Sequence, residues 1–176
     1  VRVYEWNDGT SSWDKLGSDI EGEAADDYSG RSVSLSSDGT RVAIGAPFND
    51  GNGNASGHVR VYEFSGGDWS QLGSDIDGEA ADDNSGYSVS LSSDGTTVAI
   101  GAIYNDGTGS NAGHVRIYKL SGGTWSQLGS DIDGEAVNDY SGLSVSLSSD
   151  GTSVAIGAPY NDGSFSNAGH VRVHSM

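Results

Sequence analysis

The chain has 176 residues and a formal net charge of -17, with 28 glycines, two prolines and no cysteine. A surface this acidic repels phosphate groups, so neither nucleic-acid binding nor attachment to anionic membranes is expected. The absence of cysteine excludes disulfides, thiolate metal sites and cysteine nucleophiles, and no apolar run is long enough for membrane insertion.

A segment of about 56 residues recurs along the chain. His58, His114 and His170 each open the same His-Val-Arg sequence, 56 residues apart. Segments 57–112 and 113–168 differ at only 12 of 56 positions. Such self-similarity predicts one array of repeated structural units. We place the units at 1–56, 57–112 and 113–168, followed by a closing strand at 169–176.

One unit, taken in chain order, predicts four short strands. Residues 88–92 alternate serine with apolar side chains, which is the period of a strand. The turn Ser93-Asp94-Gly95 follows, with its glycine expected at positive φ. The second, third and fourth strands are predicted at 98–102, 114–118 and 125–128. One face of the second strand carries only Ala99 and Gly101, so another sheet can approach it closely.

Four antiparallel strands of this length make a sheet that cannot bury both faces alone. Stacking the repeated sheets around an axis solves this problem, so we predict an all-β fold, a β-propeller of four-stranded antiparallel blades with three blades per chain. The alternatives are a β-solenoid, whose coils are usually much shorter than this unit, and a β-sandwich, which does not require copies at a constant period.

The unit resembles the FG-GAP repeat, the blade of integrin-α-type propellers. The resemblance is carried by Tyr28-Ser29-Gly30, by Asp38-Gly39, by Gly45-Ala46-Pro47 and by Gly57-His58-Val59-Arg60. It recurs at 84–118 and 140–173. Serine replaces phenylalanine in the first element of all three copies. Many FG-GAP repeats carry an Asp-x-Asp-x-Asp-Gly calcium loop between the first two strands, but this chain has Ser-Ser-Asp-Gly there, too few carboxylates for Ca²⁺.

A different set of loops holds 14 of the 25 acidic residues. An Asp-x-Asp-Gly turn lets alternate carboxylates converge on a hard cation, so Ca²⁺ is the possible cofactor. The alternative is a solvated acidic turn that aids solubility. The candidate ligands are Asp19, Glu21, Glu23, Asp75, Asp77, Glu79, Asp131, Asp133 and Glu135.

A third loop places an aromatic residue before Asn-Asp-Gly in every unit. An aromatic ring can stack on a sugar while the amide and carboxylate bond its hydroxyl groups, which would make a lectin-like site per blade. The alternative is an Asx turn with its aromatic packed on the rim. The candidate residues are Phe48, Asn49, Asp50, Tyr104, Asn105, Asp106, Tyr160, Asn161 and Asp162.

The remaining recurring residues predict contacts between blades. Each His of His-Val-Arg is expected to make the same blade-to-blade hydrogen bond, and each Arg to pair with an acidic loop of a neighbouring blade. The alternative for the histidines is a metal or catalytic role, but no second ligand lies near them in the sequence. Trp13, Trp69 and Trp125 share one repeat position and are expected to pack between blades. We expect no catalytic residues, because no nucleophile elbow or zinc-protease motif is present. A hydrolase that uses Asp82 and Asp83 is the enzymatic alternative.

Three blades are fewer than the four to eight of a usual ring. The first strands of the chain belong to the end of a blade and can complete the last one. We therefore predict self-association of two chains into a six-bladed ring with one redundant third strand, or packing against neighbouring blades of a longer chain. By analogy with FG-GAP propellers, the function is a non-catalytic structural or adhesive module, secreted or at the cell surface. The alternative is a carbohydrate-binding lectin, and the ligand is a protein or a glycan.

Overall fold

The computed structural model describes residues 1–175, so Met176, the last residue of the predicted closing strand, lies outside the described part. Residues 1–175 form strands, turns and loops only, which confirms the all-β prediction. They contain no helix that is long and apolar enough to span a lipid bilayer.

The fifteen strands form four antiparallel sheets. The N-terminal hairpin contains β1 (Tyr4–Asn7) and β2 (Ser12–Lys15). Sheet 1 contains β3 (Ser32–Leu35), β4 (Arg41–Ala46), β5 (His58–Ser65), β6 (Asp68–Gln71) and β7 (Ile76–Asp77). Sheet 2 contains β8 (Ser85–Leu91), β9 (Thr97–Ala102), β10 (His114–Ser121), β11 (Thr124–Gln127) and β12 (Ile132–Asp133). Sheet 3 contains β13 (Ser144–Leu147), β14 (Ser153–Ala158) and β15 (His170–Ser175).

Sheets 1 and 2 have the predicted order of four neighbouring strands. In each, the outer edge of the third strand is shared by two segments, so the fourth strand is interrupted. In sheet 1, β6 pairs with the end of β5 at Tyr62–Ser65 and β7 pairs with its start at His58 and Val59. The short strand β7 lies in the acidic loop, where the sequence predicted no strand.

The turn between the first two strands is held by its aspartate. In sheet 2, Asp94 Oδ1 accepts hydrogen bonds from the Ser92 hydroxyl at 2.7 Å and from the Thr96 amide at 3.0 Å. Gly95 has a φ of 65°, as the sequence predicted. A glycine accepts this left-handed conformation without a steric penalty.

Apolar side chains fill the junctions between successive sheets, because the two faces of each sheet meet different neighbours. Sheet 1 contributes Ala43, Val59, Val61 and Ile76 to the junction with sheet 2, which contributes Leu91, Val98, Ile100 and Trp125. The next junction buries Ala99, Val115 and Ile117 against Val154 and Ile156. Burial of such side chains is the main favourable term for stacking.

The small face of the second strand is the point of closest approach, as predicted. A Cβ atom added to Gly45 would meet the Gly86 carbonyl of sheet 2. The neighbouring serines bond across the same junction: the Ser32 hydroxyl donates to the Gly86 carbonyl at 2.8 Å, and the Ser34 hydroxyl accepts from the Leu91 amide at 2.9 Å. The alternating serines of the first strand are therefore the polar contact between sheets.

The two ends of the array are incomplete. Sheet 3 has three strands in the described residues, and the N-terminal hairpin supplies only the third and fourth strand positions. The predicted number of three four-stranded blades is therefore not confirmed in residues 1–175, which contain two complete sheets. Sheets 1 and 2 each combine halves of two successive sequence units, since β5 of sheet 1 and β9 of sheet 2 both lie in unit 57–112.

Candidate functional site

A polar site around a buried histidine lies where each acidic loop meets the start of a third strand. His58 opens β5, so strand pairing on both sides fixes its backbone. Its Nδ1 lies 3.6 Å from Asp75 Oδ2 and 3.8 Å from Glu23 Oε2. Glu23 comes from the loop before sheet 1, and Asp75 directly precedes β7. One histidine and two carboxylates from successive loops thus converge.

The same site recurs one repeat later. Glu79, His114 and Asp131 lie with one ligand atom each within 4.8 Å of one another, as do Glu23, His58 and Asp75. His114 Nδ1 lies 3.8 Å from Asp131 Oδ2. A third, partial copy places His170 Nδ1 3.6 Å from Glu135 Oε2. We call the first two copies site 1 and site 2.

Burial controls the charge of these histidines. Desolvation lowers the pKa of His58, and the neighbouring Arg60 lowers it further, against the opposing effect of Asp75 and Glu23. For His114, burial and then Arg116 lower the pKa to about 4, although Asp131 raises it. Both imidazoles are therefore neutral at pH 7.

The arginines pair with the preceding acidic loop, as the sequence predicted. Arg60 Nη1 lies 3.3 Å from Glu23 Oε1, and Arg116 Nη1 lies 3.3 Å from Glu79 Oε1. Arg116 also donates to the Asp77 carbonyl at 2.9 Å. Because Asp77 belongs to β7 of sheet 1 and Glu79 follows that strand, while Arg116 belongs to sheet 2, these contacts join neighbouring sheets.

The predicted acidic ligands of one loop do not converge on each other. Asp75 faces His58, whereas Glu79 of the same loop faces Arg116. Among residues 1–175 the three-residue clusters that could hold an ion each combine carboxylates of two loops with a histidine. Calcium binding by a single loop stays a prediction without geometric support. The other proposed ligands are elsewhere: Asp19 pairs with Arg2 and Lys15, Glu21 is exposed, and Asp77 and Asp133 lie in β7 and β12.

The histidines were not predicted as partners of these carboxylates, because no second ligand lies near them in the sequence. The three histidines were expected to hydrogen-bond between blades, but their distances to the carboxylates exceed hydrogen-bond length. The sequence contains one indication of this pairing, a constant spacing: Asp75 is 17 positions after His58, and Asp131 is 17 positions after His114.

The asparagines of the Asn-Asp-Gly loops are used within the protein. Asn49 donates to Asp27 at 2.9 Å, and its side-chain oxygen accepts from the Gly51 amide at 2.8 Å. Asp50 accepts from the Ala55 amide at 2.8 Å. The other copies are alike: Asn105 with Asp83, Asn161 with Asp139, Asp106 with the Asn111 amide and Asp162 with the Asn167 amide. These contacts match the Asx-turn interpretation.

The aromatic residues of the same loops are exposed and contact one another. The Phe48 ring contacts the Tyr28 ring in a tilted arrangement, with ring centroids 5.1 Å apart. Tyr140 lies between Tyr104 and Tyr160, with ring centroids 5.6 and 5.3 Å from each. These three tyrosines line a groove of about 330 Å³ with Tyr87, Ile103 and Leu143, which we call the tyrosine groove.

Four-stranded antiparallel sheets that stack face to face in chain order define a repeat protein of propeller-like sheets. Solved structures agree: the periplasmic gluconolactonase PpgL of Pseudomonas aeruginosa matches 99% of the chain at 16% identity and a TM-score of 0.57. Kuenenia stuttgartiensis hydrazine synthase matches 99% at 12% identity and a TM-score of 0.51. Saccharomyces cerevisiae Sqt1 matches 86% at 12% identity and a TM-score of 0.53. The chain spans 45%, 40% and 33% of these proteins, and identities this low establish the fold alone.

The FG-GAP repeat model matches residues 21–62 and 75–118. These two matches confirm the resemblance to the FG-GAP repeat that the sequence predicts. Each matched segment begins in an acidic loop and ends in a third strand, so it includes the Glu and His residues of site 1 or site 2. No curated protein sequence matches the chain significantly.

Proposed function

We propose that the chain is a non-catalytic structural and adhesive module of extracellular proteins, and that it works by assembling its sheets with further sheets of the same kind. FG-GAP repeats support the extracellular setting. The absence of catalysis is supported by the engagement of polar groups in structure: Asp82 accepts from Asn54, and Asp83 is buried and accepts from Asn105.

The observation that carries this proposal is the state of the two ends. Val171 and Val173 on the outer face of sheet 3 are 68% and 69% exposed. Val33 and Leu35 on β3 of sheet 1 are 54% and 50% exposed. These positions are covered wherever a neighbouring sheet is complete, so each end presents an apolar face suited to another copy of the repeat.

A groove at sheet 3 supports the same interpretation. It measures about 430 Å³ and is lined by Gly157, Pro159, Gly169 and Val171 among others. At the inner junctions the equivalent glycines, Gly45 and Gly57, contact the Ser85-Gly86 segment of the next sheet. The groove is therefore lined at the same repeat positions that contact a Ser-Gly segment at the inner junctions.

The proposed assembly is a six-bladed ring of two chains. The hairpin β1–β2 of one chain takes the third and fourth strand positions beside β14 of the other, which completes a four-stranded sheet. Because β15 already pairs with β14 along its whole length, it must be displaced in this assembly. This is the redundant third strand that the sequence predicts. Val1 and Val3 of the incoming chain, which occupy the same repeat positions as Val171 and Val173, then take their places.

Size-exclusion chromatography with light scattering tests the assembly. We expect a particle of twice the chain mass of 18.0 kDa. Leu35→Asp should reduce it to a monomer without unfolding, because Leu35 is exposed within one chain. A folded wild-type monomer across the micromolar range would contradict the two-chain ring, while leaving open packing against neighbouring repeats of a longer chain.

A second candidate function, carbohydrate binding, is favoured by the tyrosine groove alone. Four exposed or half-buried tyrosines present ring faces and hydroxyl groups to solvent. A glycan array with wild type, Tyr104→Ala and the control Tyr4→Ala tests it, since Tyr4 is exposed but does not line the groove. Binding that is lost only in Tyr104→Ala supports the lectin, and no binding across the array contradicts it.

A further inference from the structure

Sites 1 and 2 each contain one histidine and two carboxylates, and neither sheet packing nor the ion pairs explain this arrangement. The imidazole of His58 is 2% exposed and that of His114 is 1% exposed, and both direct Nδ1 towards carboxylates. The separations of 3.6 to 3.8 Å are too long for hydrogen bonds. In His114, Nε2 is also buried with no partner among residues 1–175. A buried imidazole without hydrogen bonds is costly.

The separations match those between two ligands of one ion. Zinc binds histidine nitrogen and carboxylate oxygen at about 2.0–2.2 Å in tetrahedral geometry, which sets ligand atoms about 3.3–3.6 Å apart. The distances from His58 Nδ1 to Asp75 and Glu23 are 3.6 and 3.8 Å. A small contraction of the side chains is enough to reach this geometry.

Each carboxylate is also oriented by its other oxygen. In site 1, Arg60 lies 3.3 Å from Glu23 Oε1, and Gln71 donates to Asp75 Oδ1 at 2.5 Å, so the second oxygen of each group faces His58. In site 2, Arg116 and Gln127 hold Glu79 and Asp131 in the same way, at 3.3 and 2.6 Å. Partners that fix ligand orientation in this manner are typical of metal centres.

The charges point to a divalent cation. The arginine offsets the glutamate in each site, which leaves the aspartate uncompensated. A mixed set of one imidazole and two carboxylates suits zinc and similar transition metals better than calcium, which takes six to eight oxygens.

We infer that sites 1 and 2 each bind one divalent transition-metal ion of the zinc class, held by Glu23, His58 and Asp75 in site 1 and by Glu79, His114 and Asp131 in site 2. Each ion joins a carboxylate of the preceding loop to the third strand of the next sheet. The partial copy at His170 and Glu135 has no third ligand among residues 1–175 and serves as an internal control.

Zinc content after chelation and reloading at pH 7 tests this inference. We expect two zinc ions per wild-type chain, one in Asp75→Asn, one in Asp131→Asn and none in the double variant. The matched control Glu135→Gln should retain two. Circular dichroism establishes that each variant is folded, and Glu23→Gln replaces Asp75→Asn if the latter is not. Cobalt in place of zinc should give the visible absorption of a tetrahedral site.

The outcomes separate the alternatives. A stoichiometry that is unchanged by Asp75→Asn and Asp131→Asn would overturn the assignment, as would displacement of zinc by equimolar calcium. Zinc binding that is reduced equally by Glu135→Gln would indicate adsorption to acidic groups, which also overturns it. Because the measurement counts ions per chain, it is independent of the two-chain ring.

Discussion

Val59 and Val171 occupy the same position of the repeat, yet Val59 is 0% exposed and Val171 is 68% exposed. Leu91 and Leu35 form a second such pair, at 7% and 50%. The sequences around these positions are nearly identical, so the difference lies in whether a neighbouring sheet is present. Whether one of these side chains is buried therefore depends on the presence of a neighbouring sheet.

The largest difference is expected for a charge placed in the two environments. Val115→Asp buries an unpaired carboxylate in the junction between sheets 2 and 3 and should lower the free energy of unfolding by at least about 4 kcal/mol. Val171→Asp at the exposed end should change it by less than about 0.5 kcal/mol. Urea unfolding followed by circular dichroism compares the two. Equal losses would mean that Val171 is buried in solution, which contradicts both its exposure within one chain and the displacement of β15 in the two-chain ring.

A smaller difference is expected at the glycines of the second strand. Gly101→Ala places a methyl group against the Gly142 carbonyl, so we expect a loss of about 1–3 kcal/mol. In Gly157→Ala the added methyl group meets only the side chain and backbone of Ser144 in its own sheet. Thermal melting of both variants provides the measurement, and a Gly101→Ala protein as stable as Gly157→Ala would show that the junction relaxes without cost.

The smallest effect is expected for the aspartate of the turn between the first two strands, whose pKa should not depend on the neighbouring sheet. Hydrogen bonds from the serine hydroxyl and the threonine amide and hydroxyl lower the pKa of Asp38 and Asp150 to about 2, and the same serine and threonine contacts lower the pKa of Asp94. Since the folded-state pKa is depressed, this stabilisation is present above pH 4 and is lost as the pH falls towards 2.

Carbon-13 NMR titration of the carboxyl groups tests this expectation. Ser148→Ala removes the first donor and should raise the pKa of Asp150, whereas Ser149→Ala should leave it unchanged. Ordinary values near 3.8 for all three aspartates would contradict the hydrogen-bonded turn.

The strand pattern could be predicted from the sequence because it is local and repeated. The first and second strands were expected at 88–92 and 98–102 and occur at Ser85–Leu91 and Thr97–Ala102. The close approach at Gly101 followed from its missing side chain. The interrupted fourth strand could not be predicted, because Ile76–Asp77 is too short to show a period and pairs only through the third strand.

The candidate site was predicted in part. The acidic loops were identified, but convergence was expected within one loop. Which carboxylate faces which sheet depends on the path of the chain between sheets, and sequence spacing within a loop does not contain that information.

Trp69 and Trp125 pack at junctions as expected and donate to the Leu16 and Leu72 carbonyls. Trp13 does not, because it lies in the incomplete hairpin and is exposed.

The serine contacts between first strands have a consequence for how such a protein changes over time. The Ser32 and Ser34 hydroxyls bond the backbone of sheet 2, and the hydroxyls of Ser88 and Ser90 bond sheet 3 in the same way. Because these hydrogen bonds are made to backbone atoms of the next sheet, and the apolar and glycine positions of the junction recur in each copy, any two successive copies can form the same junction. Gain or loss of a whole 56-residue copy by recombination therefore leaves every surviving junction intact, and chains of different copy number can arise without compensating substitutions.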